Sequence, residues 1–408
     1  MIALLACLSA LALPLRGAEI PVEPGSLDKA IQRAEPGDTL RLAPGIHPGP
    51  ITIDLAVDVV GSPGAILEGP GVGTVLTLRA DGIVVSGLTV RGSGADLAQD
   101  EAVILIVEAQ DVTVENCRVE ARAFGIYVQA GGGHHILGNE VLGDTSLEVA
   151  RRGNGIHLWN TEGNEIRDNR LVEVRDGVYL SFAHDNVIDR NEGTGLRYGI
   201  HYMYSERNVL TGNRFSSCTG GIALMFSMRN RIEDNETVDN RDFGILCQQI
   251  EHSHLEGNRV AGNGRGFYLE NSAGNHFVRN RLQRNGVGVY LTAGSEQNVF
   301  TGNRFDGNLV HAFEDHAGAN AFFDQGRGNF WSDYSGFDWN GDGVGETPYR
   351  LNSAASALIA RRPVARWFWM SPALALLDWW DARLGTPGSD SLDPFPLVGR
   401  AAVAEASP

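Results

Sequence analysis

Residues 186–213 read NVIDRNEGTGLRYGIHYMYSERNVLTGN and hold one full copy of the repeat that decides the fold. This copy begins at Asn186, passes a second asparagine at Asn191 and a glycine at Gly199, and starts again at Asn208. The pattern recurs at steps of 22 or 23 residues, which predicts a solenoid in which every copy adds one coil. The first polar position of successive copies is Asn164, Asn186, Asn208, Asn230, Ser253, Asn275, Asn298 and Asn320.

Two further columns accompany the first one. The second polar column is Asn169, Asn191, Asn213, Asn235, Asn258, Asn280 and Asn303. The glycine column is Gly125, Gly155, Gly177, Gly199, Gly221, Gly244, Gly266 and Gly288. We expect asparagine at the corners because it adopts left-handed backbone readily and can bond amide to amide with the same residue one coil away. We expect glycine to open each following strand because of its conformational freedom.

The segments between the columns predict short strands. They alternate apolar and polar residues over four or five positions, which is typical of half-buried strands. Strands this short bury a face only when copies stack on one another. The sequence therefore predicts an all-β protein, a right-handed parallel β-helix with coils of about 22 residues. A short helix with Ser26 as its N-cap is expected to cover the first coil.

Composition excludes several classes of protein. The 408 residues include 51 glycines, an excess that indicates many turns. With 43% hydrophobic residues the chain can bury a core, and it is not expected to be disordered. A formal net charge of −17 argues against binding to nucleic acid. Three cysteines lie outside the N-terminal apolar run, an odd number without a CxxC pair, and they are expected to be inert buried thiols: Cys117, Cys218 and Cys247.

Three segments divide the chain. Residues 1–18 carry an apolar run and are expected to be a secretory signal peptide. Residues 19–325 are expected to form the β-helix, and residues 326–408 a C-terminal signature loop and tail. No later segment reaches the roughly 18 to 20 apolar residues of a membrane span, so the mature chain is expected to be exported. The tail, with an apolar helical face from Pro372, is interpreted either as a cap on the last coil or as a docking element for a partner.

One long face of the β-helix is predicted from the strand that follows each column glycine. Alternation directs the second and fourth positions after the glycine outward, where we expect them to face solvent. Position two holds Tyr127, His157, Tyr179, His201, Ala223, Leu246, Tyr268 and Tyr290. Position four holds Gln129, Trp159, Ser181, Met203, Met225, Gln248, Glu270 and Thr292.

A copper site is predicted on this face from His201, Met203, Met225 and Met228. Met203 and Met225 share one outward column on adjacent coils, where strands lie roughly 4.8 Å apart, and Met228 follows at the next bend. Thioethers with an imidazole suit Cu(I) better than Zn(II) or Ca(II). The alternative is an apolar patch that the tail or a partner covers.

A carbohydrate-binding or carbohydrate-modifying protein is the alternative function, because long β-helix faces with aromatic residues can grip sugar chains. Catalysis on such chains needs converging carboxylates or an aspartate beside a basic residue. The outward columns contain one acidic residue, Glu270. No catalytic residue is therefore assigned.

A possible calcium loop lies in the C-terminal segment. Asp338, Asn340 and Asp342 offer oxygen ligands at alternate positions before Gly343, as in the first half of a calcium loop. Tyr349 occupies the twelfth position, where a bidentate glutamate would belong, and Glu346 at the ninth could partly compensate. Ca(II) binding and an ion-free turn remain equal alternatives.

Two sets of motifs make the chain similar to a known family. Residues 328–334 read GNFWSDY and residues 338–349 read DWNGDGVGETPY. Residues 201–204 read HYMY and residues 224–228 read LMFSM. Together with the leader and the Asn/Gly repeat, these segments resemble the NosD family of periplasmic copper-handling proteins for the maturation of nitrous oxide reductase.

The resemblance implies a function that spacing alone does not supply. It implies a periplasmic accessory protein that is not an enzyme. It also implies three partners: a membrane ABC transporter, a copper chaperone lipoprotein, and nitrous oxide reductase, whose copper centres the protein would help to build.

Overall fold

The computed structural model describes residues 17–292, 294–315, 320–384 and 391–399. These residues form a right-handed parallel β-helix in which each complete coil contributes one strand to each of three long sheets. The predicted fold is confirmed. Of the predicted signal peptide, residues 1–16 lie outside the described residues.

Within the described residues, sheets A and B each have 13 strands and sheet C has 12. Sheet A consists of Glu19–Val22, Thr39–Leu42, Asp58–Gly61, Val84–Ser86, Thr113–Glu115, His135–Leu137, Glu165–Arg167, Val187–Asp189, Val209–Thr211, Arg231–Glu233, His254–Glu256, His276–Val278 and Val299–Thr301. Sheet B consists of Gly45–Pro48, Ala65–Glu68, Thr89–Arg91, Arg118–Ala121, Glu140–Gly143, Arg170–Val172, Glu192–Thr194, Arg214–Ser216, Glu236–Val238, Arg259–Ala261, Arg281–Gln283, Arg304–Asp306 and Phe330–Trp331. Sheet C consists of Ile51–Ile53, Leu76–Leu78, Ala102–Val107, Phe124–Gln129, Ile156–Glu162, Asp176–His184, Tyr198–Met203, Gly220–Met228, Phe243–Glu251, Arg265–Glu270, Val287–Leu291 and Val310–Glu314.

Short elements lie at the ends and in two loops. Helix α1 (Leu27–Ile31) buries Leu27 at the N-terminal end, where the sequence predicts a cap. Helices α2 (Ala354–Arg361) and α3 (Pro372–Leu384) lie in the tail. The remaining elements are the 3-10 helices Leu97–Gln99, Val149–Arg151 and Pro363–Phe368 and an antiparallel pair, Tyr349–Arg350 with Leu392–Asp393. The helices in the described part of the chain are all too short or too polar to cross a bilayer.

The core is a stack of aliphatic and aromatic side chains inside the coils. Ile200 and Ile222 pair in register on adjacent strands of sheet C, and both are fully buried, as the repeat predicts. The two predicted asparagine columns are also buried and form amide ladders. Asn191 Nδ2, for example, donates to Asn213 Oδ1 at 3.0 Å, and Asn213 Nδ2 donates to Asn235 Oδ1 at 2.9 Å.

In the two predicted columns, the left-handed turn lies one residue before each ladder asparagine from Asn164 to Asn303. Asp185 and Arg207, which precede Asn186 and Asn208, both have a φ of 56°. The expectation that the ladder asparagines themselves take up the left-handed conformation is therefore wrong. The preceding residue makes the turn, and the asparagine side chain satisfies the buried backbone groups beside it.

The glycine column has a steric cause, and the expected conformational cause is wrong. Gly199 does not have the positive φ that favours glycine. A Cβ at this position would overlap the ring of Phe215 and lie 2.6 Å from the carbonyl oxygen of Gly221 on the next coil. These contacts also show that the glycine faces the core.

A third asparagine ladder runs along another corner, and the sequence reasoning missed it. Asn240 Nδ2 donates to Asn263 Oδ1 at 3.0 Å, and Asn285 Nδ2 donates to Asn308 Oδ1 at the same distance. The steps between these asparagines are again 22 or 23 residues. The signal was present in the spacing of the repeat.

The signature segment closes the last coil. Sheet B continues to Phe330–Trp331, a few residues beyond the expected boundary at 325. The ring of Trp331 stacks between Phe305 and Tyr349, at centroid distances of 4.2 and 4.4 Å. The buried carboxylate of Asp393 accepts from the backbone N–H of Asn329 at 2.7 Å and from Trp331 Nε1 at 2.8 Å. Burial raises the pKa of Asp393 to about 6, although these hydrogen bonds lower it.

The helices of the tail pack on the side of the last coils. Ala355 and Ile359 of α2 bury the outward-facing Phe313 of sheet C. Helix α3 supports α2, because Asp378 Oδ1 accepts from the backbone N–H of Ala355 at 2.8 Å. The opposite face of α3 is exposed, with Trp380 at 56%.

Candidate metal centre on sheet C

The two predicted outward columns pair in register along sheet C. Position two runs through Tyr127, His157, Tyr179, His201, Ala223, Leu246, Tyr268 and Tyr290. Position four runs through Gln129, Trp159, Ser181, Met203, Met225, Gln248 and Glu270. The structure thus brings these side chains to one outer face in the predicted order.

Met203 and Met225 are direct neighbours on this face. They pair in register on adjacent strands, and both side chains are half-buried. The side chain of Met225 packs against Ala223, Phe243 and Leu246. Two thioethers of the predicted copper site are therefore within reach of each other and of solvent.

Met228 lies three residues after Met225 and beyond a bend of the chain. An exposed aromatic ridge of Phe182, Tyr204 and Phe226 separates the two methionines. The three ridge residues are left-handed, with φ between 51° and 54°. Their rings stack on consecutive coils, Phe182 on Tyr204 at 5.2 Å and Tyr204 on Phe226 at 5.0 Å. Met228 is half-buried on the far side of this ridge.

His201 points out of the core but is covered. Its exposed fraction is 8%, so the expectation of a solvent-exposed position two is wrong at this residue. Its ring packs edge to face against Tyr179 at 4.9 Å and Tyr198 at 5.2 Å. Its Nε2 is buried and has no hydrogen-bond partner among the described residues.

Asp176 and Arg197 complete the surroundings of His201, and the sequence reasoning missed both. Asp176 is fully buried and accepts from Arg197 Nε at 2.8 Å, while His201 Nδ1 lies 3.1 Å from its Oδ2. Burial opposes the ionisation of Asp176, but hydrogen bonds from His201 and Arg197 outweigh it and hold the pKa of this carboxyl below its ordinary value.

A break in the inward–outward alternation at the column glycine explains why the sequence pattern does not place Asp176 on the outer face. Strict alternation from Val178 would turn Asp176 into the core. A Cβ on Gly177, however, would lie 3.1 Å from the core atom Leu171 Cδ1, which shows that Gly177 faces inward beside Val178. Two consecutive inward residues leave Asp176 on the outer face.

His157 occupies the same column two strands before His201. It stacks on Tyr127 at 4.5 Å, and neither ring nitrogen has a hydrogen-bond partner among the described residues. Burial lowers the pKa of His157 to about 3, so the ring is neutral at pH 7. Unlike His201, this histidine has no carboxylate hydrogen-bonded to it in the described structure.

The metal ligands that this face offers are soft donors in the coordination-chemistry sense. Thioether sulfur and neutral imidazole nitrogen suit Cu(I). The three cysteines of the described residues are free and buried, and burial raises the pKa of Cys117 and Cys218 to about 11, so these two remain protonated thiols. No group of three His, Cys, Asp or Glu side chains in the described residues is arranged to hold a metal ion.

The predicted calcium loop bonds to its own backbone. Asp338 accepts from the N–H groups of Gly341 at 2.7 Å and Gly343 at 2.9 Å. Asn340 and Asp342 accept from N–H groups two residues further on, and Glu346 Oε1 accepts from Trp339 N at 2.8 Å. The side chains predicted as calcium ligands are thus hydrogen-bonded to the backbone of the loop itself. Calcium binding stays a prediction.

A carboxylate pair for sugar hydrolysis is not formed by Asp176 and Glu270. Both lie on the outer face of sheet C, but their strands are four positions apart. At roughly 4.8 Å per strand this separation is about 19 Å, whereas glycosidase carboxyls lie roughly 5 to 9.5 Å apart.

Comparisons with known proteins agree with the fold and match the chain to a family described as copper-binding. Residues 137–336 match the family described as "Periplasmic copper-binding protein (NosD)" and residues 66–171 match "Right handed beta helix region". The chain is 41% identical over 378 residues to the probable ABC transporter binding protein NosD of Pseudomonas aeruginosa, covering 86% of this chain and 88% of that protein. It is 39% identical over 355 residues to the protein of the same name from Stutzerimonas stutzeri, covering 83% and 81%.

A solved structure shares the architecture. The Dettilon tailspike protein superposes with a TM-score of 0.55 at 17% identity, covering 75% of this chain and 66% of that chain. At this identity the likeness shows the fold alone.

Proposed function

The chain belongs to the NosD family of periplasmic copper-binding proteins, and on this premise we propose that it is a periplasmic accessory protein that binds copper for assembly of the nitrous oxide reductase copper centres. A copper chaperone lipoprotein supplies the metal in this proposal, and a membrane ABC transporter is the binding partner. The names of the two curated relatives support the transporter as a partner. The proposed role is binding and delivery, without a catalytic step.

The register of Met203 and Met225 carries the proposal of a Cu(I) site. Side chains that are paired on adjacent parallel strands start roughly 4.8 Å apart, which is close enough for two sulfurs to share one ion. His201 lies two residues before Met203 on the same face, and its unpartnered Nε2 can supply a nitrogen ligand. Met228 would have to reach the ion across the aromatic ridge.

Partial exposure of the two thioethers suits delivery. A neutral thioether needs no deprotonation to bind copper, and a half-buried pair can be approached by a partner's ligand while the ion is still held. The burial of His201 adds a condition. Copper reaches the buried Nε2 only when neighbouring side chains shift, so the thioethers make the first contact.

We place the transporter contact on the exposed face of the tail. Trp369, Leu376 and Trp380 are all more than half exposed, although the chain could have buried such side chains against its long sheets. An exposed cluster of large apolar side chains is typical of a protein interaction site. The tail would thus hold the β-helix against a membrane-embedded partner.

A double variant tests the copper site. We expect Met203→Ala, Met225→Ala to bind Cu(I) at least about tenfold more weakly than the wild type, or about 1.4 kcal/mol, in competition with a Cu(I) chelator. The matched control is Met370→Ala, because Met370 is 80% exposed in the tail and its loss removes a thioether away from sheet C. Unchanged affinity of the double variant, with an intact circular dichroism spectrum, would contradict the site.

A further inference from the structure

One buried carboxylate contacts one histidine of the proposed copper site. Asp176 is held from one side by Arg197, whose Nε donates to Oδ1 at 2.8 Å and whose Nη2 donates to Oδ2. On the other side, Oδ2 lies 3.1 Å from His201 Nδ1. The guanidinium of Arg197 is itself placed over the ring of Tyr198, at 4.9 Å from the centroid.

This contact decides which ring nitrogen of His201 carries the proton. An ionised carboxylate can only accept hydrogen bonds, so Nδ1, at 3.1 Å from it, is the donor in this contact. Arg197 Nη2 also lies 3.4 Å from Nδ1, but it already donates to Asp176 Oδ2 and the carboxylate contact with Nδ1 is the shorter one. In neutral His201 the lone pair then resides on Nε2. That nitrogen is the one without a hydrogen-bond partner among the described residues.

We infer that Asp176 is a positioning residue that fixes His201 in the Nδ1–H tautomer and so presents Nε2 to a metal ion, with Arg197 holding the carboxylate in place. Metal-binding histidines commonly donate their other N–H to a carboxylate, and loss of that partner costs roughly 10- to 100-fold in affinity. The inference rests on the proposed copper site, and it adds two residues that do not touch the ion.

Comparison with the neighbouring coils shows that the carboxylate is not a general feature of the column. The equivalent position before the column glycine holds Phe124, Asn154, Tyr198, Gly220, Phe243, Arg265 and Val287 on other coils. Asp176 is the one acidic residue of this set, and it lies on the strand beside His201. His157, one strand before Asp176, stacks in the same column without such a partner.

The first test uses the copper-free full chain, and its main result is the tautomer of the wild type. Ring ¹⁵N shifts in a histidine-labelled sample report the tautomer, and His201 is assigned by its absence from the spectrum of His201→Gln. We expect the Nδ1–H form in the wild type. In Asp176→Asn, Arg197 retains the amide oxygen and the amide NH₂ faces Nδ1, which should invert the tautomer to Nε2–H.

The second test measures Cu(I) affinity by chelator competition. Asp176→Asn should bind roughly 10- to 100-fold more weakly than the wild type, and Asp176→Glu should recover part of the loss. The matched control is Glu173→Gln, which removes another partly buried ion pair, that with Arg152 at 2.6 Å. This control should leave the affinity unchanged.

The outcomes separate the inference from the proposed function. An Nε2–H tautomer in the wild type would overturn the inference, whatever the variants do. Unchanged affinity in Asp176→Asn with a loss in His201→Gln would also overturn it and would leave the copper site standing. Unchanged affinity in both variants would remove His201 from the copper site and the inference with it.

Discussion

Asn213 accepts both the backbone N–H and the side-chain amide of Asn191, one coil earlier, at 2.9 and 3.0 Å on the same Oδ1. Its own Nδ2 donates to the carbonyl oxygen of Ile188 at 2.8 Å. Asn213→Ala would remove the acceptor of the buried Asn191 backbone N–H and the donor to the Ile188 carbonyl oxygen. The Asn191 side-chain amide would lose one of its acceptors and keep the carbonyl oxygen of Ile166. An unsatisfied buried group costs about 1 to 3 kcal/mol, and we expect a loss of stability of about 2 to 4 kcal/mol in urea unfolding. Thr211→Ala, on the outer face of the same coil, should change it by less than about 0.5 kcal/mol.

Gly199 and Gly212 of one coil are required for different reasons. Gly199 is required because there is no space for a side chain, and Gly212 because its φ is positive. Gly199→Ala should destabilise strongly, because the new Cβ would overlap the ring of Phe215 and has backbone rather than a flexible side chain on its other side. Gly212→Ala, at a φ of 62°, meets no atom closer than 3.3 Å and should cost about 1 to 2 kcal/mol. Thermal unfolding of both variants measures the difference. A larger loss of stability in Gly212→Ala than in Gly199→Ala would show that backbone freedom matters more than the space for a Cβ.

Asp393 should make stability depend on pH. Its folded pKa of about 6 lies above the ordinary value of 3.8, so the folded state favours the protonated carboxyl. Its stabilising contribution is fully present below about pH 4 and is lost as the pH rises through about 6, a change of about 3 kcal/mol. We therefore expect the free energy of unfolding of the wild type, relative to that of Asp393→Asn, to fall between pH 4 and pH 7. A constant difference across this range would contradict the prediction.

The tail prediction is best tested by point substitutions. Deletion of α3 would remove Asp378 from the N-terminus of α2 and so disturb the fold. Replacement of Trp369, Leu376 and Trp380 by Ser should keep the melting temperature within a few degrees and abolish co-purification with the detergent-solubilised transporter. The control replaces Phe337 and Trp339, two exposed aromatic residues at the start of the predicted calcium loop, by Ser. Retained co-purification of the triple variant would place the contact elsewhere.

The sequence was sufficient for the register of the β-helix. The 22- and 23-residue steps predict which residues pair across coils, and Met203 opposite Met225 follows directly. The burial of His201 could not be predicted in this way. Tyr198 and Arg197 pack against it, and both precede the column glycine Gly199. At this glycine two consecutive residues face inward, so simple alternation does not predict the direction of the residues before it.

The cause of the glycine column also lay outside the reach of the sequence. A repeated glycine is equally compatible with a left-handed backbone and with close packing, because both exclude a Cβ. The contact of Gly199 with the ring of Phe215 depends on the position of a side chain from another sheet. Only the three-dimensional arrangement separates the two causes.

The bonds from Asp393 to Asn329 and Trp331 join residues 64 and 62 positions apart, whereas the ladder bond from Asn213 to Asn235 joins residues 22 apart. During synthesis from the N-terminus, each new coil can therefore dock on the previous one after about one further coil has emerged. The final coil has to wait for the last few dozen residues of the chain. A prematurely terminated product would keep its upstream coils but end in unpaired strand edges, which are prone to aggregate. The closure of the last coil thus depends on a residue that is synthesised long after the coil itself.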